Sequence, residues 1–202
     1  MDWDGNLLCL NGLVFSVDYL PDAVHPEGAF VVHKHRSMVD NELALIEPIA
    51  PKRILELGTH TGGSAVMWSE LLKPGKLVTV DLTAEPLTLP GVRAYRGVDQ
   101  SDTDALTEIV QSEFSGTLDC VLDDASHLYE PTRASFDCLF ALLRPGGLYV
   151  LEDWDWEVLP DHLRPPSLEG AEGLVRLVAE LSRQDDVKNL SLHPSFALVE
   201  RA

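Results

Sequence analysis

An α/β fold is the architecture this sequence predicts: a mostly parallel, seven-stranded sheet with helices on both faces and a C-terminal antiparallel hairpin. Three observations carry it. From Pro51 onward short apolar segments alternate with helical patterns, the rhythm of strands joined by crossover helices. Most of those segments are apolar throughout, as expected of strands covered on both sides. The tail VKNLSLHPSFALVERA instead reads as two strands that turn back at His193-Pro194.

The elements follow in order. RILEL (53–57) is the first strand of the sheet, then a glycine-containing turn and a helix through SAVMWSELL. KLVTVDL (76–82) and VRAYRG (92–97) are the second and third strands. A helix over about 103–113 leads to LDCVLDD (118–124), the fourth. The next helix, about 131–143, is stopped by Arg144-Pro145-Gly146-Gly147, and GLYVLED (147–153) is the fifth strand. Residues 154–166 read as a loop over one end of the sheet, followed by a helix at about 170–183 and the terminal hairpin. Before this core, LLCLNGLVFSV carries Asn11-Gly12 between apolar runs, a type I′ hairpin signal. A loop rich in Pro and His (PDAVHPEGAFVVHKHRS) and a helix over about 38–49 complete the chain. Its 202 residues suit one domain, with 1–40 as a hairpin and lid extension and 41–202 as the core.

Charge narrows the partners. Fifteen basic against 33 acidic side chains leave −18, which argues against a nucleic acid or an anionic membrane, both of which are bound through Lys and Arg. Cys9, Cys120 and Cys138 are scattered, with no C-x-x-C pair, so neither a zinc site nor a disulfide framework is indicated and a reducing compartment is expected. The acidic N-terminus has no basic signal region, and no apolar run approaches the ~18 residues of a membrane span. A cytoplasmic protein is the expectation.

In open parallel sheets, ligands sit beyond the carboxyl ends of the strands. The turn ELGTHTGGS (56–64) belongs there, where glycines let the backbone approach a ligand. A dinucleotide site would want G-x-G-x-x-G; here Gly58 is followed by Gly62 and Gly63, with Glu56 at the strand end. A carboxylate there repels a pyrophosphate and attracts a cationic ligand, while Asp81, closing the second strand, is placed to accept ribose hydroxyls. At the same sheet edge the fourth strand ends in Asp123-Asp124 and the fifth in Glu152-Asp153. Asp124, Glu152 and Asp153 brought together would repel strongly, and a hard divalent cation such as Mg²⁺ removes the difficulty. His127, three residues past Asp124, reads as a base and Asp123 as a bystander capping the strand or bonding nearby amides. His33 and His35, at alternate positions, give a weak suggestion of metal or substrate contact, and His60 reads as a loop residue. Trp154, Trp156 and Tyr129 flank the site, as a sugar-facing wall or as core packing.

Acid-x-Gly-x-x-x-Gly with an acid ending strand two resembles the S-adenosylmethionine site of the class I methyltransferases, a Rossmann-like fold. ELGTHTGGSA, VTVDL and VLDDASHLYEPTRASFDCLFALLRPGGLYVLEDW resemble a narrower group: metal-dependent O-methyltransferases of macrolide-type sugars, together with the cephalosporin hydroxylase family. The resemblance covers about residues 38–153. It implies a cofactor site made of Glu56, Gly58, Thr59, Gly62, Ser64 and Asp81, with Asp99 and Gln100 at the adenine. It also implies Mg²⁺ on Asp124, Glu152 and Asp153, and His127 as the base that deprotonates an acceptor hydroxyl. The acceptor is then a small hydroxylated metabolite, a natural-product sugar or glycoside, with phenols within the same chemistry; assembly into a homo-oligomer stays open. Two rivals remain. An oxidative role would call for a 2-His-1-carboxylate iron triad, which these acids do not match. A non-catalytic scaffold subunit could have lost Asp124, His127 and Asp153, and all three are present.

Overall fold

The computed structural model of the chain describes residues 3–20, 23–83 and 86–202. Its elements run β1 (Trp3–Asp4), β2 (Leu7–Leu10), β3 (Leu13–Val17), β4 (Phe30–Val32), α1 (Arg36–Ile46), β5 (Arg53–Leu57), α2 (Gly63–Leu72), β6 (Lys76–Asp81), β7 (Arg93–Arg96) and α3 (Thr103–Phe114). Then come β8 (Leu118–Asp123), α4 (Tyr129–Phe140), β9 (Leu143–Glu152), α5 (Val175–Leu181), β10 (Val187–His193) and β11 (Phe196–Arg201). Seven strands form the main sheet in the order β10-β11-β9-β8-β5-β6-β7. The five central and edge strands from β9 to β7 pair in parallel; β11 joins β9 antiparallel and β10 joins β11 antiparallel.

Alternation along the strands sends side chains into two separate cores. On one face Leu55, Leu57, Val78, Val80 and Tyr149 pack against α3, α4 and α5. On the other Ile54, Leu77, Leu122 and Val150 pack with Trp68 and Met67 of α2, with Met38 and Ile46 of α1, and with Phe15 of β3. Helices do cover both faces, and the buried strands are apolar for that reason.

The N-terminal segment holds more structure than a hairpin. Asn11 and Gly12 have φ of 50° and 84°, the left-handed pair that a type I′ turn needs, and β2 and β3 pair across it. Two further strands extend this into a second sheet, β1-β2-β3-β4, with β4 parallel to β3. Residues 30–32, expected in a loop, are that fourth strand; residues 21 and 22 of the same stretch lie outside the described residues. The helix expected over 131–143 covers Tyr129–Phe140, and Arg144-Pro145-Gly146-Gly147 lies inside β9 instead of before it. Register jumps there from Leu118↔Leu143 to Cys120↔Leu148, so the Pro-Gly-Gly segment is a bulge that the strand absorbs. The last helix spans 175–181, and residues before it form short 3₁₀ turns. Among the described residues no helix is long and apolar enough to cross a membrane.

Asp119 pins the opposite end of the sheet from the strand ends that matter for function. It accepts from Arg53 Nη2 (2.8 Å), Arg144 Nε (2.9 Å) and the Lys52 and Arg53 amides (both 2.9 Å). Burial would raise its carboxyl, but these donors, Arg53 foremost, outweigh it and hold the pKa at about 2. A depressed folded pKa contributes stability above the unfolded value of ~3.9 and loses it as pH falls towards 2. Asp119→Asn is therefore expected to cost about 2 kcal/mol in urea unfolding at pH 7, with the difference from wild type shrinking below about pH 4.

Candidate active site

The carboxyl ends of β5, β6, β8 and β9 meet at one edge of the sheet, as parallel pairing requires. Asp124, just past β8, donates its N–H to Leu57 O (2.9 Å), and Gly58 donates to Val80 O (2.9 Å), so the ends of three strands are stitched together. Gly58 has φ of 89°, and a Cβ there would lie 1.9 Å from Asp124 O. Two adjoining cavities open at this seam, and Gly58 and Asp81 line both. The first, about 300 Å³, is walled by Leu57, Val80, Asp99, Gln100 and Ser126. The second, about 360 Å³, is walled by Thr59, Ser64, Lys34, Asp124, His127 and Asp153, with Tyr19 and His33 from the segments flanking β3 and β4.

Asp81 accepts the His60 and Thr83 amides (2.8 and 2.7 Å) and faces Arg96 at 3.5 Å. Glu56 is buried behind the turn: Oε1 accepts from Ser64 Oγ (2.7 Å) and Oε2 has no partner. Burial pushes its carboxyl up to about 7. Thr59 shares a 2.6 Å hydrogen bond with Thr79, and Gly62 packs against Leu89.

The second cavity holds the acids. One ligand atom each from Asp124, His127 and Asp153 lie within 4.8 Å of one another. His127 Nε2 is 3.7 Å from Asp124 Oδ1 and 3.9 Å from Asp153 Oδ2. Those gaps are too long for direct hydrogen bonds. They leave room for a small polar group between the imidazole and the two carboxylates, which themselves suit a hard cation. Burial raises the Asp153 carboxyl, His127 opposes it and Asp124 adds to it. Glu152, at the end of β9, is buried and paired with Lys34. Lys34 also donates to Asp124 Oδ2 at 2.7 Å. Burial alone would lower the ammonium, but Asp124 and Glu152 outweigh it and raise it. Lys34 is therefore a cation.

Residues 55–154 match a family described as a methyltransferase domain. Those residues form a methyltransferase domain. Over 112 residues it is 38% identical to demethylmacrocin O-methyltransferase of Streptomyces fradiae, covering 50% of this chain and 27% of that protein. Mycinamicin VI 2''-O-methyltransferase of Micromonospora griseorubida is 37% identical over 109 residues, again 50% of this chain and 27% of the relative. In fold, the chain is similar to a methyltransferase from the mycinamycin biosynthetic pathway solved in complex with Mg, SAH and mycinamycin VI. That likeness has a TM-score of 0.63 at 26% identity and covers 82% of this chain and 49% of the other. The chain thus spans between about a quarter and half the length of these relatives.

Other residues of this methyltransferase domain take places that the sequence alone did not indicate. Asp123 is buried and bonds side chains rather than backbone amides: Tyr149 OH donates to it at 2.6 Å, Ser135 Oγ at 3.1 Å and Gln100 Nε2 at 2.8 and 3.0 Å. Gln100 Oε1 accepts from Ser126 Oγ (2.7 Å), so this amide is committed within the wall of the first cavity, while Asp99 is exposed and holds Ser101. Lys34 and Glu42 were not singled out from the sequence. The available signal was alternation: Val32 and Lys34 point inward whereas His33 and His35 are exposed. Glu42 falls on the buried stripe of α1 with Met38, Val39 and Ile46, and neither of its oxygens has a hydrogen-bond partner among the described residues. Burial pushes its carboxyl up to about 8. His33 meets His60 edge-on at 5.2 Å, and His35 stacks on Tyr19.

The two tryptophans of LEDWDW act as anchors. Trp156 Nε1 donates to the His127 carbonyl (2.9 Å) and Trp154 Nε1 to the His193 carbonyl (3.0 Å). His127 and Asp153 both hold left-handed backbones, φ 56° and 49°, which cost energy for residues with a Cβ and need surrounding support. Trp156→Phe is expected to keep the fold at a cost of about 1 kcal/mol. The loosened backbone is expected to shift and broaden the His127 imidazole resonances in two-dimensional NMR. Unchanged resonances would mean that Trp156 does not hold His127.

Proposed function

We propose that this chain is an S-adenosylmethionine-dependent, Mg²⁺-assisted O-methyltransferase acting on a hydroxyl of a small metabolite, a natural-product sugar or glycoside. The observation that carries this is the convergence of Asp124, His127 and Asp153 in a cavity that shares Gly58 and Asp81 with its neighbour. The residues fit both groups. Gly58 presents bare backbone to both cavities, Asp81 closes β6 with a carboxylate, and Glu56 keeps one buried oxygen without a partner. No lysine or arginine is among the residues lining the first cavity, which suits a ligand without phosphate. Hard carboxylate oxygens suit a magnesium-type cation better than a thiolate-seeking metal.

When bound, the cofactor supplies an electrophilic methyl group and the cation supplies positive charge that lowers the pKa of an acceptor hydroxyl. Asp124 Oδ1 and Asp153 Oδ2 would hold the cation, and both face His127 Nε2. His127 is the base: Nε2 takes the hydroxyl proton, and the two carboxylates stabilise the imidazolium that results. Asp81 orients the ribose, and Asp99 and Gln100 border the adenine end of the first cavity. Tyr19 and His33, from the segments flanking β3 and β4, and the anchored segment after Asp153 shape the acceptor entrance, in keeping with a lid over the site. Holding donor and acceptor in adjoining cavities supplies alignment, which is a large share of such catalysis.

Labelled methyl transfer from S-adenosylmethionine to a panel of hydroxylated glycosides and phenols tests this. Transfer to at least one glycoside is expected, lost with EDTA and restored by Mg²⁺. Cofactor binding without transfer to any acceptor favours a scaffold role, and transfer indifferent to EDTA removes the cation from the mechanism.

A further inference from the structure

One turn after β8 serves both cavities: Ser126 lines the first and its neighbour His127 the second. The Ser126 hydroxyl is held by a chain of buried groups that starts at Asp123, itself only 3% exposed. A carboxylate can only accept, so the part of Gln100 that meets both Asp123 oxygens, at 2.8 and 3.0 Å, is the Nε2 amine. Tyr149 OH and Ser135 Oγ donate to the same carboxylate at 2.6 and 3.1 Å and fix it in place. With Nε2 committed, Gln100 turns Oε1 to Ser126, which donates its Oγ–H at 2.7 Å and its amide N–H at 3.3 Å. The Ser126 proton is thereby spent. A hydroxyl has two lone pairs; one accepts the Leu128 amide at 3.3 Å, and the other is left for a ligand. Among the described residues that line the first cavity, the other polar side chains besides Gln100 are Asp81 and Asp99. Both are acceptors, so the lining side chains offer this cavity lone pairs and no uncommitted donor.

We infer that Ser126 Oγ accepts the exocyclic amine of the cofactor's base, and that Asp123, acting through Gln100, fixes this polarity and so selects an aminopurine over an oxopurine. This rests on the S-adenosylmethionine reading proposed above. Ser126 is the binding residue; Asp123 and Gln100 are positioning residues that act through it. An oxopurine brings a carbonyl oxygen against the Ser126 lone pair. Two acceptors then face each other with no proton between them, and such a mismatch of buried polar groups is costly. The polarity depends on Asp123 being unable to donate. Asp123→Asn keeps the shape of the side chain but can present either an oxygen or an amine to Gln100. Gln100 is then free to turn over and place Nε2 against Ser126. The hydroxyl would accept from Gln100 and donate into the cavity, which suits the oxopurine instead.

The test is calorimetric binding of S-adenosylhomocysteine and of its oxo counterpart, S-inosylhomocysteine, to the full chain. Wild type is compared with Ser126→Ala, Asp123→Asn and Asp99→Ala, each first shown folded by circular dichroism. Wild type is expected to prefer the amino ligand by about 50-fold. Ser126→Ala should lower that preference about tenfold by weakening the amino ligand alone. Asp123→Asn should lower it by about tenfold or more, and should bind the oxo ligand more tightly than wild type does. A purely structural role for Asp123 would weaken both ligands equally, and that result overturns the inference. Equal binding of the two ligands by wild type overturns it, as does a preference that survives in Ser126→Ala or that is lost in Asp99→Ala in its place. Ser126→Ala alone decides the matter should Asp123→Asn fail to fold. Absence of S-adenosylhomocysteine binding by wild type overturns the cofactor reading itself, and this inference with it.

Discussion

Asp124→Asn is expected to lower methyl transfer by about 10³-fold or more while the protein still folds. Asparagine keeps the shape of the side chain and removes its charge, so the effect reports electrostatics rather than packing. Two things are lost together: the anion that would help hold the cation, and the nearer carboxylate facing His127, at 3.7 Å against 3.9 Å for Asp153. Removing one partner of a fully buried ion pair commonly costs ~3–5 kcal/mol. Here Asp124 is a quarter exposed and Lys34 retains Glu152, so a loss of about 1–2 kcal/mol is expected in urea unfolding. His127→Ala provides the contrast. It should lower turnover by ~10²–10⁴-fold, yet leave Mn²⁺ binding near the wild-type value if the histidine is a base rather than a ligand. Turnover by Asp124→Asn above a tenth of wild type would remove Asp124 from the cation site. Loss of Mn²⁺ binding in His127→Ala would instead move the histidine into the ligand set.

The strands of the main sheet were legible because burial on both faces leaves a plain trace. RILEL and LDCVLD are apolar wherever they touch either core, and the structure starts and ends them within a residue of the expected positions. What escaped were features that depend on partners distant in sequence. Phe30–Val32 is too short to announce itself, and it becomes a strand only because β3 lies alongside it. Arg144-Pro145-Gly146-Gly147 carries every local sign of an interruption. The interruption is real but sits within β9, because Arg144 is held by Asp119 on the neighbouring strand. Local turn chemistry cannot distinguish a bulge from a boundary.

At the site, chemistry was easier to read than geometry. The motif spacing pointed to Asp124, His127 and Asp153, and the strand ends do bring them within reach of one another. Glu152 ends β9, while Asp153 follows it with a left-handed backbone (φ 49°), so the two neighbouring acids take different surroundings. Glu152 turns inward to a lysine that lies 118 residues away. A buried lysine reads on the page like any surface lysine, and only its alternation with Val32 hints otherwise. Asp123 shows the same limit: its partners Tyr149, Ser135 and Gln100 come from three separate elements.

Gly58→Ala should be among the most damaging single methyl additions to this chain near the site. Position 58 has φ of 89°, a region that residues with a Cβ rarely adopt, and the new carbon would meet Asp124 O at 1.9 Å, Asp124 C at 2.5 Å and the Ala125 Cα at 2.9 Å. All three are backbone atoms at the end of a central strand, so no rotamer change relieves the clash. Gly62 differs in this respect, because the nearest atoms there belong to the Leu89 side chain and can move. Relief at position 58 would require β5 and β8 to part where the Asp124 amide meets Leu57 O. Left-handed strain contributes ~1–2 kcal/mol and overpacking ~1–3 kcal/mol, for a total of about 2–5 kcal/mol. For a domain of this size that is a fall in melting temperature of about 4–20 °C. Separation of the two strands would also displace Asp124 from His127, so any protein that still folds should lose Mn²⁺ affinity along with stability. Gly62→Ala is the matched control, strained in φ but able to shift Leu89, and it should fall less in both measurements. A melting temperature for Gly58→Ala within about 2 °C of wild type would show that the turn does not make this close approach.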